Sequence, residues 1–285
     1  MPGLPVVDQV GRPARLRVQE RVENFPVTLR VLPRRHRGHL RAVYDVVRVI
    51  DELGDTVAGD RPALLADFGR DLGRLWAGST PRSRVVRGLA GTVRDTGLTR
   101  APFDDLLRAN LQDQVVHRYA SFEEVLGYCS LSAAPIGRIV LTVFGVRSAE
   151  AERLSDQICA GLQLLEHWQD IGEDHRAGRI YLPQQDLRDF GVSEDDLAAA
   201  AASDRLRRLI VFETERAEAL LDAGAPLVPM LHGWARLAVA GYLAGGRATA
   251  QALRRCRGDV LSVHARPRRA DIVVHAARAL RGGRR

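Results

Sequence analysis

Apolar residues recur three and four positions apart along almost the whole chain, and this periodicity constrains the fold more than any other feature. Proline and glycine interrupt the pattern, as they do at helix ends. Evidence for strands is thin. The stretch 46–51 lies inside a longer helical pattern, and 178–183 is short and ends in proline, which indicates an extended connector. The sequence therefore predicts an all-α single domain of about ten helices.

Capping residues predict where the helices begin. Pro33 and Pro62 suit a first helical turn, Thr80 and Thr99 precede prolines as caps, and Ser121 begins a capping-box pattern. The longer predicted helices cover about 33–54, 62–76, 121–144, 148–175, 204–222, 226–257 and 269–281, and a short alanine-rich helix follows Ser193.

The chain has 285 residues, 46% of them hydrophobic, which is enough for a sizeable core. No run of eighteen apolar residues occurs, so we expect no transmembrane helix, and the start lacks a secretory signal pattern. The expected location is the cytoplasm. We divide the chain into an N-terminal arm (1–20), a main helical domain (21–258) and a basic C-terminal segment (259–285) that could form a last helix.

Basic residues are unevenly distributed. All 42 are arginines, and the absence of lysine excludes Schiff-base catalysis and a Walker-type phosphate loop. From Arg247 onward the net charge is +9, although the whole chain carries only +7. A duplex-DNA reader would carry positive charge across its folded body, so we expect no nucleic-acid partner. The C-terminal segment suits peripheral contact with a membrane surface; a solvated tail without a partner is the alternative.

Two acidic pairs with the same spacing lie in otherwise apolar helical stretches. Asp51 and Asp55 are four residues apart, and Asp170 and Asp174 repeat that spacing. On a helix such residues share a face with Cβ atoms about 6 Å apart, where like charges repel one another unless something neutralises them. Two such pairs indicate an acidic cleft. For either pair alone, a solvated acidic face is the alternative.

Magnesium bound to a diphosphate is the chemistry that two acidic pairs suit. Mg²⁺ prefers oxygen ligands and usually takes one or two carboxylates together with substrate phosphate oxygens. Such ions would neutralise a leaving diphosphate. A di-iron bundle would instead need Glu-x-x-His on two helices, and only Glu166 with His167 comes near that pattern.

Several segments resemble the squalene/phytoene synthase family, in the family's order, over about residues 20–250. They are ENFPVTLRVLPRRHR (23–37), YDVVRVIDELGD (44–55), PFDDLLRANLQDQVVHRY (102–119), YCSLSAAPIG (128–137) and QLLEHWQDIGEDHRAGRIYLP (163–183). Together these motifs are highly specific. The first segment, the fourth and the Trp-Gln-Asp at 168–170 most resemble the hydroxysqualene synthase branch of hopanoid biosynthesis.

The resemblance implies an isoprenoid synthase fold with a central cavity over residues 21–258. In that branch the implied enzyme takes presqualene diphosphate, releases diphosphate and adds water to the cation, giving hydroxysqualene. Mg²⁺ is implied and NADPH is not, and other enzymes of squalene synthesis are implied partners. Two alternatives stay open. One is a condensing squalene, dehydrosqualene or phytoene synthase acting on farnesyl or geranylgeranyl diphosphate, and the other is a non-catalytic scaffold of the same fold.

The resemblance also assigns roles to single residues. The implied metal ligands are Asp51, Asp55, Asp170 and Asp174, with Glu166 as a possible extra carboxylate. These aspartates also count as catalytic, together with the cavity tyrosines Tyr44 and Tyr128. The residues implied to contact the substrate are Phe25, Arg48, Arg138, Gln163, Gln169, Arg179 and Tyr181. Core packing is the alternative for each aromatic residue, and an ion pair with Asp51 or Glu52 is the alternative for Arg48.

Four positions depart from the family pattern. Glu166 stands where asparagine is common, and His167 stands where the branch often has phenylalanine. Ala134 replaces another asparagine, and Gln169 occupies the arginine position of the condensing members, which removes a positive charge. These departures bear on substrate and product more than on fold or metal. His167 could position a water or act as a base, and helix packing is its alternative role.

Overall fold

The structure is a computed structural model and describes residues 32–282. The described residues are 73% helical and contain no strand, which confirms the all-α prediction. An isolated parallel bridge joins Arg118 to Ile180, so the stretch 178–183 is the extended connector that the sequence predicts. Contacts divide the chain into two compact units.

The first unit contains the described residues up to Val115 together with Pro135–Arg147. Its helices are α1 (Arg34–Asp55), α2 (Arg61–Trp76), α3 (Arg84–Thr96), α4 (Ala101–Gln112) and most of α6 (Ala134–Val143). Helix α1 packs against α2, α3 and α4. The core of this unit includes the fully buried side chains of Leu40, Ile50, Leu53, Phe68, Leu89 and Phe103.

Side-chain caps begin two helices of the first unit, α2 and α3. Helix α1 follows Pro33, and α2 is capped by Asp60, whose side chain accepts the Ala63 N–H at 2.9 Å. The starts predicted from Thr80 and Thr99 are wrong. Helix α3 begins only at Arg84, after the Ser83 cap, and α4 begins at Ala101 without a side-chain cap.

The late start of α3 has a tertiary cause. The buried carboxylate of Asp71 accepts the backbone N–H groups of Arg82 and Ser83 at 2.7 and 2.8 Å. These bonds hold the chain in a non-helical conformation just before the helix. A capping rule that reads only neighbouring residues therefore places the start too early.

The second unit contains residues Val116–Ala134 and the described chain from Ser148 onward. Its helices are α5 (Phe122–Ser132), α7 (Ala149–Gln169), α8 (Ile171–Arg176), α9 (Gln184–Phe190), α10 (Glu194–Leu197), α11 (Asp204–Gly224), α12 (Leu227–Met230), α13 (Gly233–Arg255) and α14 (Arg269–Arg281). Helix α11 packs along α7, and α13 packs against both α11 and α14. Gly161 and Gly224 allow close approach of α7 and α11, because a Cβ at either would lie within 3 Å of the partner helix.

Three long predicted helices are interrupted. The pattern 121–144 breaks at Ala133, because Pro135 cannot donate a backbone hydrogen bond and disfavours helical geometry before it. The pattern 148–175 breaks at Asp170, and 226–257 breaks where Leu231 and His232 are extended. The alanine-rich helix after Ser193 is a single turn with its capping box.

By length and composition, Phe122–Val143 could cross a membrane. The sequence, which has no run of eighteen apolar residues, predicts no such helix. Half of its most apolar window is buried, as in core helices of soluble proteins, so this is weak support for a membrane span. The proposed domain boundaries after residues 20 and 258 stay predictions, and the N-terminal arm lies outside the described residues.

Candidate active site

The first acidic pair lies at the C-terminal end of α1. One side of this helix is buried through Val43, Val46, Val49, Ile50 and Leu53. This packing fixes the direction in which the two aspartates project. Asp51 is partly exposed: Arg48 Nη1 lies 4.0 Å from Oδ2, and Asn110 Nδ2 donates to Oδ1 at 3.5 Å. Asp55 ends the helix and is exposed.

Two amide side chains of α4 and its C-terminus hold the end of α1. A Cβ at Gly54 would lie 2.1 Å from Asn110 Oδ1, so only glycine permits this approach. Asn110 also donates to Leu106 O at 3.2 Å, and Gln114 Nε2 donates to Gly54 O at 3.0 Å. These bonds orient Asp51. Sequence reasoning gives Asn110 no role, although the i, i+4 spacing of the two amides is a signal that could have found it.

The remaining predicted residues of the first unit are Tyr44 and Arg138. Tyr44 is buried in α1, and Arg138 is half-buried in α6. Burial of Tyr44 agrees with core packing as well as with a cavity wall, so both substrate roles stay predictions. Phe25 lies outside the described residues.

The second acidic pair lies at the junction between α7 and α8. Asp170 has φ −102° and ψ 13°, and it separates the two helices. Backbone hydrogen bonds nevertheless run from Asp170 N to Glu166 O at 3.0 Å and from Asp174 N to Asp170 O at 2.8 Å. The three carboxylates therefore follow one another by about one helical turn across the break.

Electrostatics at this junction favour a cation. Burial raises the pKa of Asp170, and the nearby charges of Asp174 and Glu173 raise it further, whereas His167 and His264 act in the opposite direction. The net effect is a carboxylate whose charge is poorly compensated by the protein itself. A bound divalent cation would relieve that repulsion.

An imidazole and three tyrosine rings form a cluster beside the second pair. His167 stacks on Tyr181 with ring centroids 3.7 Å apart, and Tyr128 lies 5.4 Å from Tyr181. Tyr119 stacks on Tyr181 from 5.8 Å and lies 5.6 Å from Tyr128. All four rings are buried. The structure thus brings the predicted Tyr128 and Tyr181 together. It adds Tyr119, which closes the segment 102–119 and has no role in the sequence reasoning.

His167 connects this aromatic cluster to the acidic pair. Its Nδ1 lies 3.8 Å from Asp174 Oδ2, and its Nε2 lies 3.2 Å from the amide nitrogen of Gln163. When the Gln163 amide donates to Nε2, the ring proton is on Nδ1 and faces Asp174. His167 therefore packs within the fold, which was its alternative role, and the same ring also lies next to Asp174, a predicted metal ligand.

Two pockets open next to the second pair. A narrow one is lined by His167, Asp174, Arg179 and Tyr181, four polar or aromatic groups from α7, α8 and the connector. A second one, of about 340 Å³, lies on the side of Asp170. Its other lining residues include Glu173, His175, Arg176, Val260 and His264. The C-terminal segment therefore forms part of the wall next to Asp170.

Gln169 bonds to this C-terminal segment. Its Nε2 donates to the backbone carbonyl of Ala265. The segment is also anchored at Asp259, whose carboxylate accepts from Ala202 N at 3.0 Å and from Arg207 Nη2 at 2.7 Å. Gln169 is thus placed beside Asp170, and its contact with substrate stays a prediction.

The carboxylates fit Mg²⁺, although none of the residues 32–282 form a cluster of three or more His, Cys, Asp or Glu side chains able to hold a metal alone. Mg²⁺ does not need such a cluster, because it usually keeps several waters and binds through one or two carboxylates plus substrate phosphates. Asp170 and Asp174 supply hard oxygen donors, and the charge of Asp170 is poorly compensated. Glu166, one turn earlier and half-buried, could add a third.

Comparisons with known proteins point in one direction. A profile of the squalene/phytoene synthase family matches residues 18–272. The chain is 36% identical to a hydroxysqualene synthase of Sinorhizobium fredii over 221 residues, which is 76% of this chain and 74% of that protein.

Two solved structures are similar as well. Squalene synthase HpnC from Alicyclobacillus acidocaldarius is 40% identical, with a TM-score of 0.76 over 87% of this chain and 97% of that one. A dehydrosqualene synthase in complex with a ligand is 22% identical, with a TM-score of 0.82 over 97% of both chains. This last likeness shows the fold alone.

Proposed function

The chain belongs to the squalene/phytoene synthase family, and we propose that within it this enzyme converts presqualene diphosphate to hydroxysqualene, a step of squalene and hopanoid biosynthesis. Membership makes it an isoprenoid synthase with the helical fold of that family. The similarity to a hydroxysqualene synthase supports the finer assignment, and so does the uncharged Gln169.

One observation carries the proposal: the pair Asp170 and Asp174 lies beside the stacked rings of His167 and Tyr181. In the reaction a C–O bond breaks and its electron pair leaves with the diphosphate, so negative charge grows on the leaving group while a carbocation forms on carbon. Carboxylates with a divalent cation suit the first charge. Aromatic faces suit the second, at about 0.5–2 kcal/mol per ring.

In this proposal Mg²⁺, when bound, supplies positive charge that stabilises the departing diphosphate. Its ligands would be Asp51, Asp55, Asp170 and Asp174, with Glu166 in addition. The other catalytic groups are Tyr44 and Tyr128.

The remaining predicted residues would bind and orient the substrate. Arg48 and Arg179 would grip phosphate oxygens with their guanidinium groups, whose planar fork matches phosphate. Phe25, Arg138, Gln163, Gln169 and Tyr181 would line the path of the substrate. Water then adds to the rearranged cation and releases a proton to solvent, so the products are hydroxysqualene and diphosphate. No reductant is consumed, and the proposal includes no NADPH.

The proposed substrate determines the partners. Presqualene diphosphate is formed by joining two farnesyl diphosphates, so an enzyme that condenses prenyl diphosphates must supply it, and an enzyme that processes the alcohol must follow. We place the protein in the cytoplasm, at the membrane surface where such apolar compounds partition, and assign it no nucleic-acid partner.

A product assay tests the reaction. Purified protein with Mg²⁺ and no NADPH would receive presqualene diphosphate in one tube and farnesyl diphosphate in another, with products read by mass spectrometry. We expect hydroxysqualene from the first tube alone. A product from farnesyl diphosphate would instead show a condensing synthase and contradict the proposal.

Thermal unfolding tests the scaffold alternative without turnover. A ligand that binds only the folded state raises its stability, by about 2.7 kcal/mol at a hundred times its Kd. We expect Mg²⁺ with inorganic diphosphate to raise the melting temperature, and the Asp170→Asn variant to lose most of that shift. The absence of any shift in the unaltered chain would favour a non-catalytic scaffold.

A further inference from the structure

Large apolar side chains are exposed together between α12 and α13. We refer to residues 229–237 as the α12–α13 corner. Met230 is 44% exposed, Trp234 39% and Leu237 43%. Nine large hydrophobic side chains are exposed in the described part of the chain, and three of them fall within these nine residues. This concentration differs from the single, scattered apolar residues that are normal on a surface.

The geometry makes these side chains one surface. Trp234 and Leu237 are three residues apart in the first turns of α13 and so share a face of that helix. Met230 ends α12, which packs against α13, and Pro229 beside it is also exposed. The apolar groups therefore project from one turn of the fold.

The chain around this corner carries no negative charge. No aspartate or glutamate occurs between Asp222 and Asp259, or after Asp271. These two stretches together contain nine arginines. Three of these arginines form ion pairs, so the positive character is strongest at the C-terminal end of α14. The ion pairs are Arg247 with Asp222, Arg254 with Glu218 and Arg255 with Asp271.

Helix α14 adds its arginines next to the corner. Arg236, which lies between Trp234 and Leu237 in sequence, donates from Nη2 to Leu280 O at 2.8 Å. This bond holds the C-terminal end of α14 against the first turns of α13. Arg278 and Arg281 are both exposed in that last part of α14. The apolar corner is thus bordered by guanidinium groups.

We propose that the α12–α13 corner, with the C-terminal end of α14, docks on an anionic lipid surface. Tryptophan, methionine and leucine would enter the headgroup region, where the amphipathic indole is favoured, and the arginines would bind lipid phosphates. The inference rests on this surface and not on the proposed reaction. Its apolar part lies outside the basic C-terminal segment in which the sequence predicts membrane contact.

Charge complementarity favours a lipid surface over a second copy of the chain. A symmetric contact between two copies would bring the same arginines face to face, and like charges across an interface are unfavourable. An anionic lipid surface instead offers many phosphates to one positive border. A single apolar corner of this size also matches shallow insertion better than spanning.

Removal of the C-terminal segment is unsuitable as a test of this surface. Helix α14 is packed on α13: Arg255 pairs with Asp271, and His275 bonds to Gln251 at 3.1 Å. A chain that stops at Asp259 would lose this helix and expose α13. Single substitutions in the full-length chain avoid that loss of structure.

Tryptophan fluorescence gives a direct readout. The chain has three tryptophans: Trp168 is fully buried, Trp76 is part-buried and donates to Leu98 O, and Trp234 is exposed. With phosphatidylcholine vesicles containing phosphatidylglycerol, we expect a blue shift and quenching by brominated lipid chains. Both signals should be absent in Trp234→Phe and should weaken as salt is added.

Flotation with the same vesicles measures affinity. Leu237→Ser should bind about tenfold more weakly, because an inserted leucine is lost. Arg278→Gln with Arg281→Gln should bind more weakly only where phosphatidylglycerol is present. Leu111→Ser, which removes a leucine on α4 that is 36% exposed, is the matched control and should bind like the unaltered chain.

Three results would overturn the proposal. These are equal vesicle binding by the unaltered chain and Leu237→Ser, the same binding with and without phosphatidylglycerol, and a Trp234 signal that changes with protein concentration in the absence of vesicles. The last would identify a second copy as the occupant. Circular dichroism of each variant separates loss of binding from loss of folding.

Discussion

The two acidic pairs share one spacing and differ in almost everything around it. The first pair (Asp51, Asp55) ends a continuous helix, whereas the second (Asp170, Asp174) lies at a break between two helices. An arginine and a buried amide accompany Asp51, but Asp170 has carboxylates as its main neighbours, and its pKa is raised. The second pair also lies beside an imidazole that stacks on a tyrosine ring.

This difference shows that the four-residue spacing only positions the carboxylates. The groups around each pair determine what its carboxylates can do. The protein holds Asp51 through packing and hydrogen bonds before any ligand arrives. It leaves Asp170 in an environment where the charged form is disfavoured until a cation binds. The first pair should therefore respond most to changes in packing, and the second to pH and to divalent cations.

The largest expected effect is on turnover. Asp51→Asn and Asp170→Asn keep side-chain size but remove a charge, and each should lower kcat by about 10³-fold, since several kcal/mol of charge stabilisation are lost. The steady-state assay with Mg²⁺ measures this. The Mg²⁺ and diphosphate melting shift should fall more in Asp170→Asn than in Asp51→Asn. Equal melting-temperature shifts in the two variants would contradict the proposed difference between the pairs. Full activity in either variant would refute the metal role.

The next largest expected effect is on the pH dependence of stability, and it comes from a buried carboxyl group of the second unit. Glu213 is fully buried on α11, and burial together with Asp186 raises its pKa to about 8. Arg216 Nη1 lies 2.9 Å from Asp186 Oδ2 and 3.4 Å from Glu213 Oε1, so one arginine serves two carboxyl groups. The folded state therefore holds a proton on Glu213 that the unfolded chain releases near pH 4.5.

Proton linkage gives the direction in which stability changes with pH. Between the unfolded pKa near 4.5 and the folded pKa of about 8, the folded state binds more protons, so the free energy of unfolding falls as pH rises. The loss is on the order of a few kcal/mol by pH 8. Glu213→Gln should flatten this dependence, as measured by urea unfolding at several pH values. A variant as pH-sensitive as the unaltered chain would show that another group titrates.

His167→Phe isolates the link between the imidazole and the second pair. Phenylalanine keeps the stack on Tyr181 but removes both ring nitrogens, so Asp174 loses its neighbour at 3.8 Å. Groups that orient a metal ligand typically contribute about tenfold to metal affinity, so half-maximal activity should need about ten times more Mg²⁺. His117→Phe, at an exposed histidine of the same unit, is the control. An unchanged Mg²⁺ requirement would leave His167 with a packing role alone.

The smallest expected effect probes the packing of the first pair. Gly54→Ala places a Cβ 2.1 Å from Asn110 Oδ1 and should destabilise the fold by about 1–3 kcal/mol. Gly88→Ala, at an exposed helical glycine with open space around it, should be neutral or stabilising by about 0.5–1 kcal/mol. Chemical denaturation measures both. If adding Asn110→Ala does not recover part of the loss in Gly54→Ala, the close approach is not its cause.

Much of the fold could be predicted from the chain alone. Pro33, Pro62 and Ser121 mark real helix starts, and the all-α class follows from the period of the apolar residues. The positions of both acidic pairs at helix ends follow from the same pattern. These features depend on residues within a few positions of one another, and such contacts can be deduced from sequence order.

The predicted helix boundaries are wrong where contacts with residues distant in sequence set them. Asp71 delays the start of α3 after Thr80, and no rule based on nearby residues includes it. In the same way, the regular apolar pattern of 148–175 gives no sign that the helix stops at Asp170 and restarts, or that residues 260–264 line the pocket on that side.

The sequence by itself determined the all-α class, the approximate course of the long helices, the spacing of the carboxylates and the family to which the chain belongs. The tertiary structure decided that Asn110 would meet Asp51 across 59 residues, that Tyr119 and Tyr128 would join Tyr181, and that α14 would lie on α13. The physical reason is that capping and periodicity act within a helical turn, whereas charge compensation, stacking and burial depend on which distant side chains the folded core brings together.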